Sequence, residues 1–388
     1  MAAVTGRGGE SPGHLLGFCL ASMDLFNHNT SEEGLALASR VDPQYAPVWQ
    51  DKPPQEQTAL AMYFLPHGSK KSVLSPTRPR VIKWYCPFAN QHSFSSGHRY
   101  CINVYTGCAH SCEYCYAAAY ELPHPDVKRD FAKLLEKDLA DLERFDVPSA
   151  PIHLSNSTDP FQPLEATAGH TRLALQELLA HRRRFTSVVV LTKNPRLAVE
   201  SGCVDLFRKL DSSRAQFLIE VSLAFWREDA RQLYDSGAPS IQDRTESIRQ
   251  LCREGVRVVL RIDPLFPSSP LSGKTAPAAT YQDFGLPLPQ TLDDLEQLVT
   301  FAREAGVQHV VYSPAKIVQP RMRQLSPVMR RMRSLYEFVA APERLTFRGG
   351  SWRLPPAVQS DVTGRLLAIC RRHGVPAKCC KQNLIETP

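Results

Sequence analysis

Between residues 98 and 320 the chain alternates two hydrophobic patterns. Short continuous apolar runs are separated by longer stretches in which apolar residues recur every three or four positions. The runs are RYCINVYT (99–106), IHLSNS (152–157), TSVVVLTK (186–193), AQFLIEVSLA (215–224), VRVVLRIDPLF (256–266) and HVVYSPAKI (309–317). They read as strands. The periodic stretches read as helices: FAKLLEKDLADLERF (131–145), HTRLALQELLAHRRR (170–184), CVDLFRKL (203–210), SIQDRTESIRQLCREG (240–255) and TLDDLEQLVTFAREAG (291–306). In the first, Phe131, Leu134, Leu135, Leu139 and Leu142 share one face. Gly255 supplies a helix stop and Thr291 an N-cap.

Strands alternating with helices predict parallel βαβ units. Strands that are apolar throughout predict a sheet covered on both faces. The expected fold class is α/β: an incomplete (β/α)6 TIM-type barrel of parallel strands over 98–320, with irregular N-terminal and C-terminal extensions over 1–80 and 321–388. Residues 1–80 mix Gly, Ser, Pro and charge without a sustained period, with one short helix expected at LALASRVD (35–42). A Pro/Ser/Gly-rich insertion fills 267–290. In barrels of this kind the chemistry sits at the C-terminal strand ends. Those ends read YTGC, SNSTDP, LTKNP, EVSLA, RIDPLFP and YSPAK, all polar or ionisable.

Composition narrows the setting. The 388 residues are 43% hydrophobic, ample for a large core, and 46 basic against 39 acidic residues give a net charge of +7. That balance permits nucleic acid as a partner without requiring it. No apolar run approaches the ~18–20 residues a membrane span needs. HLLGFCLASM (14–23) is too short an apolar run, preceded by a single arginine, to serve as an export signal. A cytoplasmic protein without a membrane partner is expected. Eleven cysteines, an odd number, favour reduced thiols or a metal site over a disulfide framework. Cys19, Cys86, Cys101, Cys203, Cys252 and Cys370 stand singly, Cys379 and Cys380 are adjacent, and three cluster in GCAHSCEYCYA (107–117).

That cluster has two readings. Structural zinc takes four ligands. His110 lies inside the first gap, so a distant Cys101, Cys86 or Cys379 would have to complete the set. Alternatively, Cys108, Cys112 and Cys115 hold a [4Fe–4S] cluster by three irons and leave the fourth open. CAHSCEYCY carries the CxxxCxxC signature, with an aromatic residue before the last cysteine, and resembles the radical S-adenosylmethionine (SAM) superfamily.

NVYTGCAHSCEYCYA together with STDPFQPLE (157–165), LTKNP and RIDPLFP resembles the spore photoproduct lyase-related branch, often called DNA repair photolyase-like. The resemblance implies that SAM chelates the open iron. It implies that one electron cleaves SAM, and that the resulting 5′-deoxyadenosyl radical takes a hydrogen atom from substrate. It places Tyr116 against the adenine, Ser157 and Asp159 on SAM, Lys193 on its carboxylate or ribose, and Ser222 on its ribose or amino group. It further implies an electron donor such as flavodoxin or ferredoxin. The residues have plainer readings too: Tyr116 in the core, Asp159–Pro160 as a turn, Lys193 on the surface, and Arg261 paired with Asp263.

One residue departs from the branch. Asn156 stands where the lyase has a cysteine that returns a hydrogen atom to product. Cys379 and Cys380 could substitute, bind a second cluster with Cys370, or be inert. The basic runs HRRR (181–184) and RMRQLSPVMRRMR (321–333) read as solvated faces or nucleic-acid contacts. The expected function is a radical SAM enzyme with DNA as a candidate substrate. The alternatives are a non-catalytic zinc-binding, nucleic-acid-binding module, and a radical SAM enzyme acting on RNA or a peptide.

Overall fold

A computed structural model describes residues 79–83, 100–117, 124–144, 149–155, 157–212, 215–267, 281–320, 323–341, 343–348 and 350–380. The helix expected at 35–42, Asn156, Cys86 and most of the 267–290 insertion lie outside these residues. In chain order the elements are β1 (Ile82–Lys83), β2 (Tyr100–Ile102), β3 (Tyr105–Thr106), β4 (Asp126–Val127), α1 (Phe131–Arg144), β5 (Ala150–Leu154), α2 (Glu165–Ala168), α3 (His170–Ala180) and β6 (Phe185–Thr192). Then follow α4 (Pro195–Glu200), α5 (Val204–Asp211), β7 (Gln216–Ser222), α6 (Glu228–Tyr234), α7 (Ile241–Arg253), β8 (Val258–Leu265), α8 (Leu292–Ala305), β9 (Val310–Pro314) and β10 (Ile317–Val318). The C-terminal part supplies α9 (Pro327–Ala340), β11 (Thr346–Arg348), β12 (Ser351–Arg353), α10 (Pro356–His373) and β13 (Ala377–Cys379).

The main sheet runs β1-β2-β5-β6-β7-β8-β9-β13. All pairs are parallel except β1 with β2. Six strands, β2 and β5 to β9, lie side by side in chain order, as successive βαβ crossovers require. Among the described residues the sheet does not close. The incomplete barrel is therefore the fold observed. Its apolar strand side chains are buried under helices, with Val188, Val190, Phe217, Ile219, Leu260 and Ile262 fully enclosed. The helix signals hold as well. Thr291 and Asp294 cap α8 reciprocally, and Gly255 takes a left-handed φ of 78° just beyond α7.

Two expected strands are each split. In 99–106 the chain leaves the main sheet after Ile102 and pairs again as β3 with β4. Asn103 sits at the break, its backbone oxygen bonded to Lys128 and its side-chain oxygen accepting from the Ser157 amide at 3.2 Å. In 309–317 the ladder stops at Pro314, which has no N–H to donate, and β10 starts a separate three-stranded sheet with β12 and β11.

The C-terminal segment is more regular than expected, which corrects its reading as an irregular extension. α10 buries Val358, Val362, Leu366, Ile369 and Cys370 along one stripe and lies against α8. Glu296 of α8 bonds both Arg372 and His373 of α10. This packing delivers β13 beside β9, with Ala377 opposite Val310 and Cys379 opposite Tyr312. α9 builds a second core over the C-terminal strand ends, joining Met329, Met332, Leu335 and Tyr336 to Phe225, Tyr234 and Phe266. At the other edge, buried Asp138 of α1 accepts the Val81 and Ile82 amides at 2.8 Å each and docks β1. Among the described residues no helix is long and apolar enough to cross a membrane.

Candidate active site

The three clustered cysteines lie on the loop that follows β3, and neighbouring loops pin that loop at several points. Gly107 (φ 65°) and Ser111 (φ 48°) both take left-handed backbone conformations, the second with a side chain that disfavours it. Gln162, fully buried, receives the Ala109 amide on Oε1 at 3.0 Å and donates from Nε2 to the Gly107 carbonyl at 3.1 Å. The turn after α6 supports the other side. The Gly237 amide donates to the His110 carbonyl at 3.0 Å, and the Glu113 amide to the Tyr234 carbonyl at 3.0 Å. Only glycine fits at 237, because a Cβ there would stand 2.6 Å from the Ala109 oxygen and 2.7 Å from the His110 oxygen.

Beside Cys112 lies a buried ionic network. Lys193, ending β6, donates to Tyr114 Oη at 2.7 Å and to Ser222 Oγ at 3.1 Å, and pairs with Asp235 at 3.2 Å. Arg244 of α7, with no exposed surface, pairs with the same carboxylate at 3.1 Å and donates to the Ser222 carbonyl at 3.1 Å. Cys112 Sγ donates to Asp235 Oδ1 at 2.9 Å. Two cations around one carboxylate leave this group net positive. Burial alone would raise the Asp235 pKa, but Lys193 and Arg244 hold it far below the usual carboxylate range. Burial would likewise lower Lys193, and Asp235 more than offsets that.

Asp159 is saturated by its own protein. Its carboxylate accepts from Thr192 Oγ1 at 2.7 Å, the Lys193 amide at 2.6 Å and the Phe161 amide at 2.8 Å, and faces His110 Nε2 at 3.1 Å. Four partners match the roughly four lone-pair positions a carboxylate offers. Its geometry is that of a brace between the second and third strand ends and the cysteine loop. His110 Nδ1 lies 2.9 Å from the Gly237 carbonyl, so both ring nitrogens face acceptors. Burial disfavours the imidazolium, yet Asp159 and Gly237 together hold the His110 pKa above its ordinary value.

The structure brings every sequence-predicted site residue to one cleft. Cys108, Cys112, Cys115, Tyr116, Ser157, Asp159, Lys193 and Ser222 all border one cleft at the C-terminal strand ends. Arg261 and Asp263 also border it and pair with each other at 2.7 Å. Arg261 further engages Glu220 at 2.5 Å and Cys380 Sγ at 3.0 Å, so β13 brings Cys380 to the rim.

Among the described residues no three His, Cys, Asp or Glu side chains converge as one metal ion requires. A cubane instead takes each thiolate on a different iron, so its ligands ring a cavity. The three thiols around the cleft fit that demand. Burial and Asp159 push the Cys108 thiol up to about 12, and burial and Asp235 push Cys112 up too. Both are therefore thiols until a cation lies against them.

Sequence reading passed over Tyr114 as a site residue, and also Gln162, Asp235, Gly237 and Arg244. Gln162 lay inside the quoted STDPFQPLE segment, and DSG (235–237) is an ordinary turn signal. Arg244 had no signal, since a charged residue in an amphipathic helix reads as solvated.

No family model matches the chain. Over 194 residues, 48% of this chain and 70% of the relative, it is 25% identical to an uncharacterized protein of Methanocaldococcus jannaschii. Among solved structures it resembles spore photoproduct lyase. A cysteine-to-alanine variant of that protein aligns at TM-score 0.51 and 11% identity, over 75% of this chain and 80% of that one. Its complex with dinucleoside spore photoproduct aligns at TM-score 0.50 and 11% identity, over 74% and 78%. A radical SAM methyltransferase from Sphaerobacter thermophilus aligns at TM-score 0.40 and 17% identity, over 72% and 66%. At such identities the likeness speaks to fold. The chain has a partial-barrel fold like that of spore photoproduct lyase.

Proposed function

We propose that this protein is a radical SAM enzyme whose Cys108, Cys112 and Cys115 hold a [4Fe–4S] cluster. The observation that carries the reading is the pairing of three non-convergent thiols with a buried, net positive Lys193–Asp235–Arg244 group at the C-terminal strand ends. Anionic thiolates and a carboxylate-bearing cosubstrate both suit that excess charge. Held there, such a cluster would supply one-electron reductive chemistry for cleaving SAM.

The chain's own residues have narrower tasks. Lys193 presents a partly exposed ammonium that a SAM carboxylate can share with Asp235. Ser222, already bonded to Lys193, and Ser157 offer hydroxyls to the sugar or amino group. Tyr116 lines the cleft where an adenine can stack. Asp159 orients Lys193 and His110 rather than offering a free acceptor.

For the substrate class we propose nucleic acid. Beside the strand ends, the β11–β12 hairpin exposes Phe347, 51% accessible, against Trp352 at 4.6 Å, and Arg333 lies over the Trp352 ring at 4.3 Å. Aromatic faces with arginines nearby suit unstacked bases. The similarity to a lyase solved with dinucleoside spore photoproduct points the same way. An amide at 156 returns a hydrogen atom far less readily than a thiol, so the product pattern decides between dimer repair and another radical reaction on nucleic acid.

The test is anaerobic reconstitution with iron and sulfide, then dithionite and SAM, with 5′-deoxyadenosine read by mass. Wild type is expected to bind about four irons per chain, the content of one cubane, and to form 5′-deoxyadenosine. Cys112→Ala is expected to do neither. Stoichiometric zinc with SAM left intact would instead establish a structural metal site. Ultraviolet-irradiated DNA is the first substrate to screen.

A further inference from the structure

Asp235 stands between a cysteine and two cations. Its Oδ1 accepts from Cys112 Sγ at 2.9 Å, and its Oδ2 lies 3.1 Å from Arg244 Nη1. Lys193 Nζ approaches both oxygens, at 3.2 and 3.3 Å. The S–H···O contact holds while Cys112 is a thiol. Iron is bound by the thiolate, so that proton leaves when a cluster is held. A sulfur anion and a carboxylate are then neighbours where a donor and an acceptor were before. Unrelieved, that arrangement repels, and it opposes any further electron on the cluster.

The two cations relieve it in different ways. Lys193 borders the cleft and keeps 15% of its side chain exposed, so its charge is partly screened by water and open to a bound ligand. Arg244 has no exposed surface and does not border the cleft. Its guanidinium stays charged, since that group does not deprotonate in proteins. Nη1 also donates to the Ser222 carbonyl at 3.1 Å, which fixes the group against the end of β7. Nε and Nη2 have no hydrogen-bond partner among the described residues. The nearby Glu228 is engaged by Arg231 and by the Ile241 amide. Arg244 therefore places a fixed, dry positive charge one carboxylate away from a cysteine of the proposed cluster.

From this arrangement we infer that Arg244 is a positioning residue that sets the reduction potential of the cluster, acting through Asp235. The inference rests on the proposed radical SAM function and adds a residue to it. Reduction brings one electron onto the cluster from a one-electron reductant, which is oxidised by one unit, and no bond or proton moves. A positive charge held close favours the form that carries the added electron, and a negative charge disfavours it. Iron–sulfur potentials vary widely, and net charge, hydrogen bonds to the sulfurs and exposure to solvent are among the factors that set them. Asp235 alone pushes the potential down. Arg244 draws it back up while keeping the carboxylate in place. Because Arg244 is enclosed, salt and a ligand in the cleft act on Lys193 and leave this charge as it is.

The test is a redox titration of the reconstituted full chain with dithionite, read by the electron paramagnetic resonance signal of the reduced cluster, with iron content measured on every sample. Arg244→Gln removes the charge and is expected to lower the reduced-to-oxidised ratio at a fixed potential about tenfold, a downward shift of about 59 mV for one electron. Arg244→Lys keeps a cation and should stay closer to wild type. Asp235→Asn removes the anion and should shift the potential upward. Adding Arg244→Gln to Asp235→Asn should bring it down again. A merely structural role predicts no such ordering by charge. Where Arg244→Gln alone holds no iron, the double variant set against Asp235→Asn reads the same charge. Potentials that agree among the cluster-bearing variants, or that move without regard to charge, would overturn the inference. So would loss of iron from both Arg244→Gln and the double variant, which would make Arg244 a residue of the fold alone. If wild type itself gives no reducible four-iron signal, the radical SAM reading fails and takes this inference with it.

Discussion

Lys193 and Asp235, 42 residues apart, form an ion pair at 3.2 Å beside the cysteine loop, and Arg244 closes on the same carboxylate from the other side. The carboxylate and the guanidinium are both fully enclosed. Removing the anion leaves two buried cations facing each other. Asp235→Ala is therefore expected to cost about 3–5 kcal/mol, as breaking a buried pair does. Urea unfolding measures it. Adding Lys193→Met to Asp235→Ala removes one of the stranded cations and should recover part of the loss. A cost for Asp235→Ala no larger than an ordinary surface change would mean that water reaches the network.

Gly237 and Gly364 make an opposed pair. Alanine at 237 drives a methyl into the Ala109 and His110 carbonyls at 2.6–2.7 Å, with backbone on every side. About 1–3 kcal/mol of destabilisation is expected, together with displacement of the cysteine loop. Gly364 lies in α10 with nothing within 4 Å of its added Cβ. Alanine there should stabilise by about 0.5–1 kcal/mol. Thermal melts of the two single variants should move in opposite directions.

Gln162 holds the cysteine loop without touching a thiol. Gln162→Leu keeps the volume and strands the Ala109 amide and the Gly107 carbonyl. Each unpaired buried group costs roughly 1–3 kcal/mol. Reconstituted variant protein is expected to lose iron on desalting faster than wild type, although all three cysteines remain. Iron retention equal to wild type would show that the loop is held by Gly237 and Tyr234 alone.

His309 gives the fold an acid-sensitive limb. It is buried, its Nε2 has no hydrogen-bond partner, and burial with Lys378 nearby pushes its pKa down to about 4. The unfolded chain carries an ordinary imidazole near ~6.5. Between those two values the unfolded state binds a proton that the folded state refuses, so acid favours unfolding. The penalty is absent above pH ~6.5 and grows by at most about 1.4 kcal/mol per pH unit as the pH falls toward the folded value. His309→Leu removes this contribution and leaves those of the carboxylates. Urea midpoints at pH 7 and pH 5 should differ less in the variant than in wild type.

Much of this architecture could be read along the chain because its signals are local. An apolar run between polar turns, repeated six times with amphipathic stretches between, admits few arrangements other than parallel βαβ units. The strand-end rule then directs attention to YTGC, SNSTDP and LTKNP, and the residues named there do meet at one cleft. The three-residue strand β13 carried no comparable signal, since Ala377–Cys379 is too short to show a pattern. Its place follows from where α10 leaves the chain against α8. The α10 stripe was missed in the expected irregular extension, although Val358, Val362 and Leu366 stand at helical spacing.

The sequence by itself determined the six parallel strands between 98 and 320, the main helices between them and the three cysteines on the first loop, because each depends on spacing within one segment. Tertiary structure alone decided how those residues are used. Asp159 spends its acceptors on His110, Thr192 and Lys193. Asp235 and Arg244 turn Lys193 from a strand-end charge into part of a buried cationic group. Ser326 and Met329 at the start of α9 border a second groove along the cysteine loop. A carboxylate's partners and a cation's dielectric surroundings depend on which distant segments pack against them, and no local pattern encodes that.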